Sequence, residues 1–229
     1  MSRRISVAID GPAGSGKSTV AKLVADRLGL TYVDSGAMYR AVAWRTLEAG
    51  LSAEREPEAI GELAGRLRME FRRGDGGVVR LFVDGEDGSV AIRTPEVGNM
   101  SSVVSAIPEV RKHLSRRQRE LGLGGGVVME GRDIQTVVLP EAEVKVFLTA
   151  SDRERARRRL KDLEAQGVRT TVEEVLEDIR ARDQRDSTRA VAPLAKAPDA
   201  VEVCTDGMTV EDVVDTIVEL ARTVEGGGA

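Results

Sequence analysis

Two hydrophobic rhythms divide this chain. Short, mainly apolar runs at Ile5–Ile9, Leu30–Val33, Val127–Glu130, Val144–Leu148 and Val201–Val203 have the length of buried strands. Between them, apolar residues recur every three or four positions. Val20, Leu23, Val24 and Leu28 make one helical stripe, ended by Gly29. Ser35 is read as the N-cap of a helix to about Ala49, closed by Gly50, and another helix spans about Glu56–Arg68. Helices follow at Pro95–Val104 and Pro108–Leu121, and Gly124-Gly125-Gly126 then breaks the pattern. Ser151 with Glu154 forms a capping box for a helix ending near Gly167. Thr170 or Thr171 caps the next, to about Thr188, before an Ala192-Pro193-Leu194 loop. Val210, Val213, Val214, Ile217, Ala221 and Val224 stripe the last helix, ahead of a frayed tail from Gly226 to Ala229. One stretch keeps a period of two: Met69 and Phe71, then Val79, Leu81 and Val83. Asp75-Gly76-Gly77 separates the two runs as a hairpin turn, so Arg68 to about Ile92 reads as a small antiparallel sheet.

Strands alternating with helices predict an α/β fold: a five-stranded parallel sheet covered by helices on both faces, with the antiparallel piece inserted. In such sheets ligands sit at the C-terminal strand edge. Three segments follow predicted core strands and should meet there: the loop after Ile9, Asp34-Ser35, and Gly131-Arg132-Asp133. The 229 residues suit one domain, 1–229, with a large enough core. Hydrophobic residues at 41% with 31% charged residues exclude a disordered chain. The net charge of −4 gives no global attraction to nucleic acid or an anionic membrane. No run reaches transmembrane length and no signal-peptide pattern opens the chain. Cys204 is the only cysteine, so no intrachain disulfide forms, and its apolar run predicts a buried strand position. A cytoplasmic setting and a monomer are expected.

The loop after the first strand carries the sharpest chemistry. Gly11 to Ser18 fits G-x-x-x-x-G-K-[ST], the P-loop pattern. Gly11, Gly14 and Gly16 let successive backbone N–H groups line a concave nest for phosphate. The helix from Lys17 aims its positive dipole end at the same point. Lys17 supplies a charge for the outer phosphates, and the Ser18 hydroxyl suits a magnesium ion arriving with the nucleotide.

The remaining candidates are arginines. With 28 Arg against 6 Lys, a lone arginine means little and spacing must decide. Arg153 and Arg157 read as solvated, whereas Arg155, Arg158 and Arg159 share a helix face suited to closing over a polyphosphate. Arg182, Asp186 and Arg189 continue the apolar stripe of Val175 and Ile179, so they should line a polar cleft. The competing reading is an intrahelical Arg182–Asp186 ion pair. His113, the only histidine, reads as a solvated helix residue, and no His/Cys cluster suggests a structural metal. A phosphate acceptor is already ionised near neutrality and needs no general base, which fits this inventory.

Together these segments resemble the bacterial (d)CMP kinase family of nucleoside monophosphate kinases. The matching pieces are Asp10–Thr19, Asp34–Arg40, Ile92-Arg93-Thr94, Glu130–Asp133 and Arg182–Leu194, in family order. The resemblance implies a P-loop core, a monophosphate-binding insert at about 56–107 and a short helical lid at about 151–168. Gly11, Pro12, Ala13, Gly14, Ser15, Gly16, Lys17, Ser18 and Thr19 would hold ATP, with Arg155, Arg158 and Arg159 facing its phosphates. Ser35, Arg40, Arg132 and Arg189 would hold the CMP phosphate, Ser102, Arg111 and Asp133 the cytosine, and Arg182 with Asp186 the sugar. Lys17, Arg132, Arg155, Arg159 and Arg189 would be the catalytic cations, and Mg2+ would accompany ATP. A carboxylate at Asp133 can accept from the cytosine amino group and would repel the carbonyl of uracil. Two positions depart from the pattern: Gln135 stands in place of Gly, which would alter the local backbone, and Thr188 in place of a frequent Asn. Glu130 is a possible outer magnesium group.

The expected reaction moves the ATP γ-phosphate to CMP or dCMP. Another P-loop kinase, acting on a small molecule or a different monophosphate, is the alternative; a hydroxyl acceptor would call for a nearby carboxylate base. The lack of an N-K-x-D pattern argues against a guanine-nucleotide switch. An aromatic content of 3% argues against a nucleic-acid-binding module.

Overall fold

The structure is a computed structural model describing residues 4–74, 79–165 and 167–226. Its strands are β1 (Ser6–Asp10), β2 (Thr31–Asp34), β3 (Met69–Arg73), β4 (Val79–Val83), β5 (Glu86–Asp87), β6 (Val127–Gly131), β7 (Val144–Thr149) and β8 (Val201–Cys204). Its α-helices are α1 (Lys17–Leu28), α2 (Ser35–Glu48), α3 (Pro57–Arg66), α4 (Pro95–Val104), α5 (Pro108–Gly122), α6 (Asp152–Ala165), α7 (Val172–Thr188) and α8 (Val210–Gly226). Two compact units result: Met1–Tyr32 with Gly124–Ala229, and Val33–Leu123.

The first unit is built on the predicted five-stranded sheet, in the order β2-β6-β1-β7-β8. β1 pairs in parallel with β6 and β7, and β7 with β8. Every residue of β1 and β6 is buried, as a strand covered on both faces requires. The register bears directly on function. Asp10 lies opposite Gly131 on one side and Phe147 on the other. β1 and β6 therefore end level, β7 runs on to Thr149, and Gly11 and Arg132 leave adjacent strand ends together.

The predicted stripe of α8 is buried at Val213, Val214, Ile217 and Ala221, and α8 packs on α1 and β7. Arg27 of α1 reaches Glu211 and Asp215 of α8. α6 and α7 pack on each other around Ala156, Val175 and Ile179. Thr171 caps α7 in a full capping box with Glu174. Cys204 corrects the sequence reading: it is exposed. β8 is the sheet edge, where only Val203 of the four strand residues is buried. An apolar run alone does not distinguish an edge strand from a central one.

The second unit carries the predicted antiparallel sheet, β3-β4-β5, with Met69 opposite Val83 and Phe71 opposite Leu81. The Asp75-Gly76-Gly77 turn lies outside the described residues, as does the tail 227–229. Met38, Val42, Ile60, Leu81, Val83, Val104 and Leu114 are among the residues of its core. Two local readings change. The N-cap of α2 is Asp34, whose Oδ1 accepts from Ala37 N–H at 2.8 Å, and Ser35 is the first helical residue. His113 is only partly solvated, its side chain 41% exposed and its ring packed where a Cβ on Gly65 would sit, 2.9 Å from Cε1. No described helix is long and apolar enough to cross a membrane.

Candidate active site

The loop from Gly11 to Ser18 is shaped for close backbone approach. A Cβ on Gly11, at φ 153°, would lie 2.0 Å from the Leu148 carbonyl oxygen of β7. Gly16 adopts the left-handed conformation at φ 89° and turns the chain into α1. Lys17 is buried, and its Nζ donates to Pro12 O at 2.7 Å and Ser15 Oγ at 3.3 Å. Burial and the neighbouring Arg132 and Arg182 push its pKa down to about 7, against the pull of Glu130 and Asp10. Ser18 and Thr19 are exposed in the first turn of α1.

Beside this loop, β6 delivers Arg132 and Asp133, the last turns of α7 deliver Arg182 and Asp186, and Arg189 follows as the extended C-cap residue. Asp186 is buried in line with Val175 and Ile179, as the periodicity requires. Its Oδ2 accepts from Arg132 Nε at 2.9 Å, and its Oδ1 lies 3.7 Å from Arg189 Nη1. Arg189 Nη2 in turn donates to Asp133 Oδ1 at 3.4 Å, and its Nε to Ala192 O at 2.6 Å. Burial pushes the Asp186 carboxyl up, but Arg132, Arg182 and Arg189 outweigh it and hold the group below the usual carboxylate range. Arg132 is held charged by Asp186 despite its own burial. Three predicted arginines and two predicted aspartates thus share one network in the first unit.

The α6 arginines divide. Arg155 is buried and held in place: Nε donates to Ala150 O at 3.1 Å, Nη1 to Ala13 O at 2.9 Å and to Asp183 Oδ2 at 2.5 Å, and Nη2 to Asp152 Oδ1 at 2.5 Å. It therefore packs against the phosphate loop itself. Arg158 donates to Glu154 Oε1 at 3.1 Å and to the hydroxyl and carbonyl of Thr205 at 2.9 and 3.1 Å. Arg159 is exposed, as are Arg153 and Arg157.

The other predicted positions belong to the second unit. Ser35 is buried in the first turn of α2. Arg40, one turn on, pairs with Asp34 at 2.8 Å. Arg111 of α5 is 2% exposed; its Nη1 donates to Ser105 O at 3.2 Å, and its guanidinium lies 5.3 Å from the Tyr39 ring. Ser105 Oγ donates to Ser102 O at 2.9 Å, so Ser105 links the predicted pair Ser102 and Arg111.

Several residues with no role assigned from sequence sit in this machinery. Asp10 is fully buried, its Oδ1 and Oδ2 accepting from Ile134 N–H at 3.0 Å and Gln135 N–H at 2.8 Å. A carboxylate ending an otherwise apolar buried strand was the available signal. Asp183 accepts from Ala13 N–H at 3.3 Å as well as from Arg155. Gln135 sits in a π-helical turn, Ile134–Val138. Its side chain donates to Val146 O at 3.1 Å and accepts from Ala197 N–H at 2.9 Å, a buried cross-link. Glu130, the one of these residues read from sequence as an outer magnesium group, accepts from Tyr32 Oη at 3.0 Å.

Comparison with known proteins follows this chemistry. The sequence model of the family described as cytidylate kinase matches residues 7–223. The chain is 50% identical over 222 residues to a cytidylate kinase of Geobacillus thermodenitrificans, covering 97% of this chain and 98% of that one. It is 53% identical over 223 residues to a bifunctional pantoate ligase/cytidylate kinase of Synechocystis sp., covering 96% of this chain and 43% of that protein. It thus spans less than half the length of that relative. Among solved structures, an uncharacterised protein from Eubacterium ventriosum aligns over 96% of this chain and 99% of its own, with a TM-score of 0.51 and 12% identity, a likeness of fold.

Proposed function

This chain belongs to the cytidylate kinase family, and on that premise we propose that it transfers the γ-phosphate of ATP to CMP or dCMP, giving ADP and CDP or dCDP. The observation that carries the reading is the ion network beside the phosphate loop. Arg132 is held charged by Asp186, Arg189 pairs with Asp186 and Asp133, and the field of Arg182 also acts on Asp186, while Lys17 is buried at the loop. Phosphoryl transfer between two phosphates asks for positioning and charge neutralisation, which fixed guanidiniums supply.

In this reading Gly11–Thr19 hold the ATP phosphates through backbone N–H groups, and Lys17 and Arg158 add charge. Arg132 and Arg189 take the acceptor phosphate, and Asp186 presets both guanidiniums. Arg182 and Asp186 orient the sugar. Asp133 accepts from the cytosine amino group, releasing its 3.4 Å pairing with Arg189. Ser35, Arg40, Ser102 and Arg111 are assigned to CMP as well, and Arg155 and Arg159 to the transferred phosphoryl group. The exposed Ser18 hydroxyl fits a magnesium ion, which when bound neutralises charge on the ATP phosphates. We further propose a cytoplasmic monomer with an NMP-binding insert at about 56–107 and a lid at about 151–168.

The test is product identification. Purified protein with γ-labelled ATP, magnesium and CMP is expected to yield labelled CDP and unlabelled ADP. Labelled inorganic phosphate with no labelled CDP would refute the assignment.

A further inference from the structure

We propose that Asp10 is a positioning residue for phosphoryl transfer, fixing the spacing between the donor phosphate loop and the Arg132–Asp133 acceptor arm. This rests on the assignment of Arg132 and Asp133 to the acceptor made above.

The geometry is specific. Asp10 is the last residue of β1 and directly precedes Gly11, where the phosphate loop begins. It lies opposite Gly131, the last residue of β6, and Arg132-Asp133 follow at once. Its two carboxylate oxygens are divided between two successive amides: Oδ1 accepts from Ile134 N–H and Oδ2 from Gln135 N–H. Asp10 is 0% exposed, and Ile134 and Gln135 are each 1% exposed. Water therefore cannot take over these bonds. The amides open the Ile134–Val138 turn, where a helical N-terminus leaves donors without internal partners.

The same turn is held from its other side. The Gln135 side chain bonds Val146 of β7 and the chain at Ala197, beyond α7. Asp10 is the side of this clamp that reaches the phosphate loop. No ligand needs to touch it. Its effect is to set where the chain leaves β6, and so where Arg132 meets Asp186. Displacement of a reacting group by about 1 Å is enough to cost about 100-fold in rate.

Asp10→Asn keeps the volume but offers one acceptor, and turns an NH2 towards a second N–H donor. The expected result is kcat with CMP lowered about 30-fold or more, the affinity for a non-hydrolysable ATP analogue kept within about threefold, and faster hydrogen exchange at the Ile134 and Gln135 amides. Asp10→Glu retains both acceptors on a longer arm and carries the test if the Asn variant does not fold. It should show the same split between kcat and ATP affinity. Wild-type kcat in either folded variant would overturn the proposal. So would parallel loss of kcat and ATP affinity, which would mark Asp10 as a general support of the loop. Wild-type protein that does not phosphorylate CMP would defeat the underlying reading instead, a failure visible before any variant is made.

Discussion

Replacing Asp186 with alanine tests whether the ion network is one electrostatic unit. The carboxylate is buried and lies 2.9 Å from Arg132 Nε and 3.7 Å from Arg189 Nη1, and the field of Arg182 also acts on it. The Arg132, Arg189 and Asp186 side chains are 19%, 7% and 7% exposed, so solvent screens them little. Removing one partner of a buried pair typically costs about 3–5 kcal/mol, because the opposite charge stays buried. Arg132 retains some solvent contact and Arg189 retains Asp133, which places the expected loss near the lower figure, about 3 kcal/mol. For a chain of this size each kcal/mol lowers Tm by about 2–4 °C, giving a drop of about 6–12 °C. The sign with pH follows from the depressed Asp186 pKa. Its contribution is complete above the usual carboxylate range and is lost as pH falls through the folded-state value. Thermal unfolding of wild type and Asp186→Ala from pH 7 to pH 3 should therefore show a gap that narrows towards the acid end. A gap under about 2 °C at pH 7, or one that stays constant to pH 3, would refute the reasoning.

Three further outcomes are expected. Arg132→Ala should lower kcat/KM by about 100-fold or more, the scale for losing a donor at developing charge; near-wild-type kcat/KM would remove Arg132 from the phosphate site. Asp133→Ala should chiefly narrow the CMP-over-UMP ratio of kcat/KM, and an unchanged ratio would remove it from base reading. Lys17, brought down to about 7 by burial, loses its charge in the free protein as pH rises past neutrality. ATP should then bind more weakly at pH 8 than at pH 6 and take up a proton on binding at pH 8. Calorimetry in buffers of different ionisation enthalpy measures that uptake, and none at pH 8 would contradict the assignment.

What could be read in advance divides by range. Strands and helices were legible because each is written locally, in apolar spacing and caps. The face of α7 was legible for the same reason: Arg182, Asp186 and Arg189 sit in phase with Val175 and Ile179, and Asp186 is buried accordingly. Sheet order is not written locally, so Cys204 looked central although β8 is an edge. Asp34 and Ser35 are both good capping residues, and only the Ala37 N–H bond separates them. The partners of Arg155 lie up to 142 positions away, and those of Asp10 up to 125. Composition and spacing carry no signal over such distances. Gln135 is a further case: its two buried side-chain bonds run to Val146 and Ala197, 11 and 62 positions away.

The account's central claim is acceptor identity, and kcat/KM for CMP, dCMP, UMP, AMP and GMP under saturating Mg-ATP tests it most directly. CMP and dCMP should lead the set, with AMP and GMP far behind. Fastest turnover with AMP or GMP, and little with CMP, would contradict it.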